Sequence, residues 1–459
     1  FIIENYYPSR TFLFKNQRKN KNINKLSNNN INTMHHVFSN RVFSKFFKLI
    51  EICFSLLVKK KICSFNLAHF NESFSRRLFF IKFIKFVNYK NLIKDSHFNQ
   101  KIRKDLFSNL IENYKMKIKN NSSHENKVKF LTLNLLFKFF PTCFLEGLSE
   151  NCYKYSIFLK NNKYKYLILD GDSSSHETYL YSILRHVNKL KVIRFNHGGG
   201  AGYIKDNRYS MEMVYKRCDI FISWGLNKFP TLPKNIPIHY LPNPWLSEKK
   251  FYYAKKNNKA KPIDILYFPQ KIKSISGMLE GASTFTTDIH KEYFNQILDI
   301  INLAKKNSLF LKIKPYSYEC YKILKNYLYQ NNIEINCLYN AKTKSLTQKQ
   351  FNESKCVLFD YPGTGFLECL TSNIPVYVIW NKKFCNVYGN YKVLFKKLND
   401  VKISFDNPKK LINFIIDNKL EKKTIPKKRN LIINSFINHT CRIDRNWYIH
   451  WSKFFNSLS

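Results

Sequence analysis

The chain has 459 residues, 44% of them hydrophobic and 16% aromatic, which excludes a disordered polypeptide and exceeds what one core usually supports, so two lobes are expected. Lys and Arg total 77 against 31 Asp and Glu, a formal charge of +46 that raises nucleic acid or an anionic membrane as partners. The chain is also crowded with Asn, Ile, 41 Phe and 29 Tyr, residues of A- and T-rich codons, so coding composition accounts for much of the lysine load and no specific nucleic acid is expected.

Residues 1–125 read as a helical, basic N-terminal region. The first ten residues hold Glu4 and Arg10 and do not read as a signal peptide. Residues 16–32 are polar and read as a loop. Around 42–65 and 78–87, apolar residues recur at helical intervals between lysines. The longest apolar runs, 49–58 and 131–140, are broken by Glu51, Asn134 and Lys138 and fall short of the roughly 20 residues of a membrane span. A cytoplasmic protein is expected, with peripheral docking of amphipathic helices on the inner membrane face kept open.

Residues 126–245 read as a first Rossmann-like lobe, with strands at 166–169, 192–195 and 220–223 and a helix at 178–187. A stretch with Pro230, Pro233, Pro237, Pro242 and Pro244 leads into a basic run, and 246–261 is read as the linker. Residues 262–459 read as a second lobe. Its strands are expected at 263–268, 309–313, 333–336, 356–359 and 375–379, and its helices at 288–305, 319–329 and 366–371. A final helix near 446–455 is expected to cross back onto the first lobe. The alternation of short apolar strands with helices predicts an α/β fold of two Rossmann-like lobes on parallel sheets. None of the 11 cysteines forms a CxxC pair, so buried thiols are expected and neither a zinc knuckle nor a disulfide framework is.

Three constellations carry chemistry. His197-Gly198-Gly199-Gly200 follows a strand, and four of only 12 glycines fall between 198 and 202. Such a turn lets backbone N–H groups approach a phosphate, and His197 becomes a candidate base or phosphate donor. Asp360-Tyr361-Pro362-Gly363-Thr364-Gly365 again follows a strand and opens a helix. There Gly363, Thr364 and Gly365 would meet a diphosphate, and Glu368 would accept from sugar hydroxyls; the plainer reading is a helix cap on Thr364. Lys312 and Lys314 flank Ile313 at a strand end, where one ammonium could meet donor phosphates. Asp170-Gly171-Asp172 ends another strand and has the form of a divalent-cation site, although it also reads as a turn.

The segments FPTCFLEGL (140–148), FNHGGGAGY (195–203), FISWG (221–225), FLKIKPYSY (310–318) and FDYPGTGFLECLTSNIPVYVIW (359–380) resemble bacterial transferases encoded among surface-polysaccharide genes. These in turn are similar to glycerophosphotransferases and GT-B glycosyltransferases. The resemblance covers roughly 140–400. It implies a GT-B-like fold and transfer of a sugar or related group from a nucleotide-activated donor to a polysaccharide or lipid-linked acceptor. It further implies that the donor is a substrate, with neither cofactor nor metal bound. His197 and its glycines would line the cleft from the first lobe; Gly363, Thr364 and Glu368 would form the donor turn and helix. Lys312 stands where such proteins tend to carry Arg, and Pro362 and Gly363 where they often carry Ser or Thr. Three other classes stay open: a metal-dependent transferase using Asp170 and Asp172, a non-catalytic scaffold, and a nucleic-acid binder.

Overall fold

The computed structural model describes residues 62–64, 74–86, 97–120, 123–140, 142, 145–162, 164–170, 182–185, 189–196, 199, 203–205, 214, 217–225, 235–253, 261–270, 287–339, 348–417 and 427–458. Two sheets organise them. The first has β1 (Ile62–Ser64), β2 (Ile84–Phe86), β3 (Tyr166–Asp170), β4 (Lys191–Phe195), β5 (Ile220–Ser223) and β6 (Ile238–Tyr240), in the order β2-β1-β3-β4-β5-β6. The second has β7 (Ile263–Phe268), β8 (Leu311–Ile313), β9 (Ser354–Phe359), β10 (Val376–Ile379) and β11 (Ser404–Phe405), in the order β11-β10-β9-β7-β8. Every ladder is parallel, so each sheet gathers its strand C-termini along one edge.

The helices in chain order are α1 (Phe74–Phe83), α2 (Gln100–Asn120), α3 (His124–Phe139), α4 (Leu148–Asn162), α5 (Pro244–Tyr253), α6 (Thr287–Lys306) and α7 (Tyr318–Gln330). They continue with α8 (Gln348–Glu353), α9 (Thr364–Thr371), α10 (Gly389–Asp400), α11 (Pro408–Asp417), α12 (Lys427–Thr440) and α13 (Trp447–Ser457). Among the described residues, no helix is long and apolar enough to cross a membrane.

The strands are apolar on both faces because both faces are covered. Along β9, Cys356 and Leu358 join one cluster with α6, α7 and α11, while Val357 and Phe359 join another. That second cluster is shared: Leu167, Val192 and Phe221 of the first sheet lie in it with Leu266, Val357 and Val378 of the second. Helix α9, with Phe366, Leu367, Cys369, Leu370 and Thr371 buried, contributes to it and so sits within one core common to the two lobes.

Glycine is scarce, and the helix ends show what replaces it. Ser308, Asn332, Asn373 and Lys402, just after α6, α7, α9 and α10, all have φ between 53° and 58°. The next residue in each case sends its N–H back to the closing turn: Leu309 to Ala304, Ile333 to Leu328, Ile374 to Cys369 and Ile403 to Leu398. This is the Schellman closure, with an apolar residue packing behind it, made here by residues that tolerate the left-handed region less well than glycine.

Three features depart from the expected layout. Strands β1 and β2 arise within the region read as helical, because three-residue strands beside helix α1 leave no readable period of two. Residues 246–253 are helix rather than linker: Asn243 Oδ1 accepts the Leu246 N–H at 3.1 Å and Pro244 occupies the first helical position, with Leu246 and Ser247 buried. The expected strand at 333–336 is a 3-10 turn over Ile335–Cys337. Helix α13 crosses back onto the first lobe as expected, on the outer face of the first sheet, where Trp447, Trp451, Phe454 and Phe455 meet Phe80, Ile168, Ile193 and Ile222. The expected loop at 16–32 lies outside the described residues.

Candidate functional site

Strand β9 runs through the middle of the second sheet and ends at Asp360, whose carboxylate is 1% exposed. The hydroxyls of Tyr267 (β7) and Tyr293 (α6) donate to its Oδ2, and the Gln270 N–H donates to Oδ1 at 2.8 Å. Three donors favour the ionised form, but burial outweighs them and raises this acid to about 6. The clamp fixes the start of the turn that leads into α9. Gly363 is the N-cap residue of α9, so the cap falls there and not on Thr364. A side chain on Gly363 would meet the Tyr361 ring at 2.8 Å, and one on Gly365 the Phe359 ring at 2.9 Å. These two glycines let aromatic rings lie against the turn.

From the first lobe, the glycine-rich turn after β4 arrives at this same point. The Gly199 N–H donates to Thr364 Oγ1 at 2.9 Å. A Cβ on Gly199 would lie 2.6 Å from Leu367 Cδ1 and 3.0 Å from the Thr364 backbone, so only glycine permits the approach. Tyr203 is fully buried and its hydroxyl donates to the Pro362 carbonyl. Ile204 makes an antiparallel bridge to Val387, flanked by the Lys205 N–H on Asn386 O at 2.7 Å and the Tyr388 N–H on Tyr203 O at 3.1 Å. Two turns read separately from the sequence therefore meet. The Gly199 N–H, expected to face a phosphate, is committed to Thr364.

The two lysines separate. Lys312 Nζ donates to the Asn336 carbonyl and lies over the Phe310 and Tyr339 rings, at 5.4 and 5.9 Å. Lys314 is 1% exposed, immediately after β8, with its N–H on Tyr267 O at 2.8 Å. Burial pulls its ammonium down to about 8. It lies at the same strand-end edge as Asp360. Glu368 is half-buried in the first turns of α9. His197, Gly198, Gly200 and Asp172 lie outside the described residues; Asp170 is the last residue of β3, paired with Phe195. Among the described residues, no group of three or more His, Cys, Asp or Glu is placed to hold a metal ion.

Sequence reasoning assigned no role to Asp360, Gln270 or Asn196. Asn196, at the end of β4, is 1% exposed, and its Oδ1 has no hydrogen-bond partner among the described residues; the same holds for Gln270 Nε2 at the end of β7. The signal for Asp360 was its place, an acid directly after the apolar 356–359 strand. Its partners lie 67 to 93 residues away and leave no local trace.

Asp360 gives the site a measurable pH signature. Its folded value is above the ordinary 3.8, so between about pH 4 and 6 the folded state holds a proton that the unfolded chain has lost. Stability from this group is therefore greatest at acid pH and falls as pH rises through that window, by on the order of 3 kcal/mol in all. In Asp360→Asn this fall is expected to disappear, as read from denaturant unfolding at pH 4 and pH 7. Equal pH slopes for the two proteins would show that Asp360 is not the titrating group.

A family model for LIC12162 family transferases matches residues 2–455. The chain belongs to that family. It is a transferase. No curated protein matches the chain. Among solved structures it is similar to MurG of Acinetobacter baumannii, at 12% identity over 67% of this chain and 78% of that one, TM-score 0.35. A mutant of S. aureus TarM, in complex with fondaparinux, alpha-GlcNAc-glycerol and UDP, is similar at 11% identity over 67% and 59%, TM-score 0.40. A variant of the wall teichoic acid polymerase TagF is similar at 12% identity over 64% and 74%, TM-score 0.38. The match therefore spans less than two thirds of the TarM chain.

Proposed function

We propose that this transferase moves a sugar or related group from a nucleotide-activated donor to a surface-polysaccharide or lipid-linked acceptor in the cytoplasm, without a bound metal. The reading rests on one juxtaposition. A buried lysine, Lys314, and the N-terminus of α9 lie on the strand-end edge of the second sheet, opposite the glycine turn of the first. Strand-end edges are where open α/β sheets bind ligands, and a helix N-terminus with a cation beside it suits a leaving diphosphate.

Lys314 is the main diphosphate partner in this reading, with Lys312 at its rim. Gly363, Thr364 and Gly365 form the donor turn, so the Gly199–Thr364 hydrogen bond gives way when donor enters. Glu368 accepts from donor hydroxyls. His197 is the base for the acceptor, beside Gly198 and Gly200. The unsatisfied amides of Asn196 and Gln270, one acceptor and one donor, are polar groups a bound substrate would complete.

The test is a thermal-shift screen against nucleoside diphosphates and nucleotide sugars, with EDTA or with Mn. Stabilisation by one nucleotide class that survives EDTA is expected, weakened about tenfold or more in Lys314→Met and far less in Lys312→Met. Stabilisation that requires Mn would move the chemistry to Asp170 and Asp172. No stabilisation by any nucleotide would leave a scaffold as the reading.

A further inference from the structure

Helix α3 has no buried residue among its sixteen positions. Val128, Leu131, Leu136 and Phe139 are 48%, 60%, 39% and 52% exposed. At 100° per residue these positions fall on one side of the helix, with Lys127 and Lys138 along one flank of the stripe. α2 packs along α3 to form a helical hairpin. Residues 97–140 carry nine Lys and Arg against three Asp and Glu, so the hairpin is basic on its own account.

The hairpin is held, not loosely tethered. Arg103, with no exposed surface, donates to the Phe137 carbonyl at 2.9 Å, the Phe140 carbonyl at 2.6 Å and both Glu146 oxygens at 2.6 and 3.1 Å. It thereby pins the C-terminal end of α3 to α2 and to the turn before α4. A fixed helix presenting apolar side chains beside a row of lysines suits an interface, apolar groups inward and ammonium groups at the headgroups.

We propose that the exposed face of α3 docks the protein on an anionic membrane surface. This inference stands apart from the proposed donor chemistry and needs none of it. Nucleic acid would reward the lysines but gain nothing from Leu131 or Phe139. A second copy packed face to face would bring Lys127 and Lys138 against like charges.

Full-length protein is mixed with vesicles of phosphatidylglycerol and phosphatidylcholine, or of phosphatidylcholine alone, and sedimented. Binding to the anionic vesicles only is expected. The double variant Leu131→Glu, Phe139→Glu is expected to lose more than about tenfold in partitioning; Lys127→Glu, Lys138→Glu should restore none of it and weaken binding by itself. Both variants should keep the wild-type melting temperature and nucleotide response, since these side chains are exposed. Wild-type protein left in the supernatant, or a Leu131/Phe139 variant that binds as well as wild type, overturns the proposal. So would a wild-type dimer in sedimentation velocity that the same variant converts to monomer, which would assign the face to a second copy.

Discussion

Gly225→Ala is expected to destabilise the protein by more than about 3 kcal/mol. Gly225 follows β5 with φ 132°, a backbone conformation that costs any L side chain. The added Cβ would lie 2.7 Å from the Arg442 backbone nitrogen, 3.1 Å from the Asn438 carbonyl oxygen and 3.2 Å from the Cys441 carbonyl carbon. All three are main-chain atoms, at the end of α12 and just beyond it, so no side chain can swing away. The Arg442 N–H also donates to the Trp224 carbonyl, so relief by backbone movement would break that bond. Gly389→Ala is the matched control, since nothing lies within 4 Å of that Cβ. Denaturant unfolding of both variants reads the contrast. A Gly225 variant within about 1 kcal/mol of wild type would contradict the close approach of these segments.

The second large effect is expected at Glu146, where Glu146→Ala removes the carboxylate facing fully buried Arg103. A guanidinium left without its counter-charge in a dry site costs about 3–5 kcal/mol. The damage should fall first on α2 and α3, whose junction Arg103 organises, and hydrogen exchange across 97–140 should report it before the rest of the fold changes. The Arg103 hydrogen bonds hold the Glu146 carboxyl down to about 2, below its ordinary 4.5. A depressed acid stabilises the fold above its unfolded value, so this contribution is full above about pH 4.5 and is lost as pH falls toward 2. The sign is opposite to that of Asp360. Exchange in this segment that is unaltered in Glu146→Ala would separate the ion pair from the hairpin's stability.

The central strands were readable because each is a short apolar run bounded by turns, and that pattern needs no knowledge of its neighbours. The glycine turn at 198–202 was readable as unusual from scarcity alone. Its partner was not, because Thr364 is 165 residues away. The same distance in sequence hid the clamp on Asp360 and the separate fates of Lys312 and Lys314, which share one strand pattern but different surroundings. The supposed linker had a local signal that was overridden. Asn243-Pro244 is a cap followed by a first-position proline, and Asn407-Pro408 opens α11 the same way, with Asn407 Oδ1 accepting the Lys410 N–H at 3.0 Å. Among prolines spaced this closely, the one that starts a helix reads like the ones that prevent it.

The placement of α13 has a consequence for biosynthesis. Strand β1 near residue 62 and the tryptophans of α13 complete a single outer layer, and the Trp451 indole N–H donates to the Pro242 carbonyl, 209 residues earlier. A ribosome that has finished the first sheet has made Phe80 of α1 but not the four α13 aromatics that share this cover. Until α13 emerges, Ile168, Ile193 and Ile222 lack its aromatic cover for the whole time the second sheet is being translated. Closing so distant a pairing is slow, since the entropy of the intervening chain is lost before the contact is gained. The interval in which this face lacks its aromatic cover ends with the synthesis of one helix.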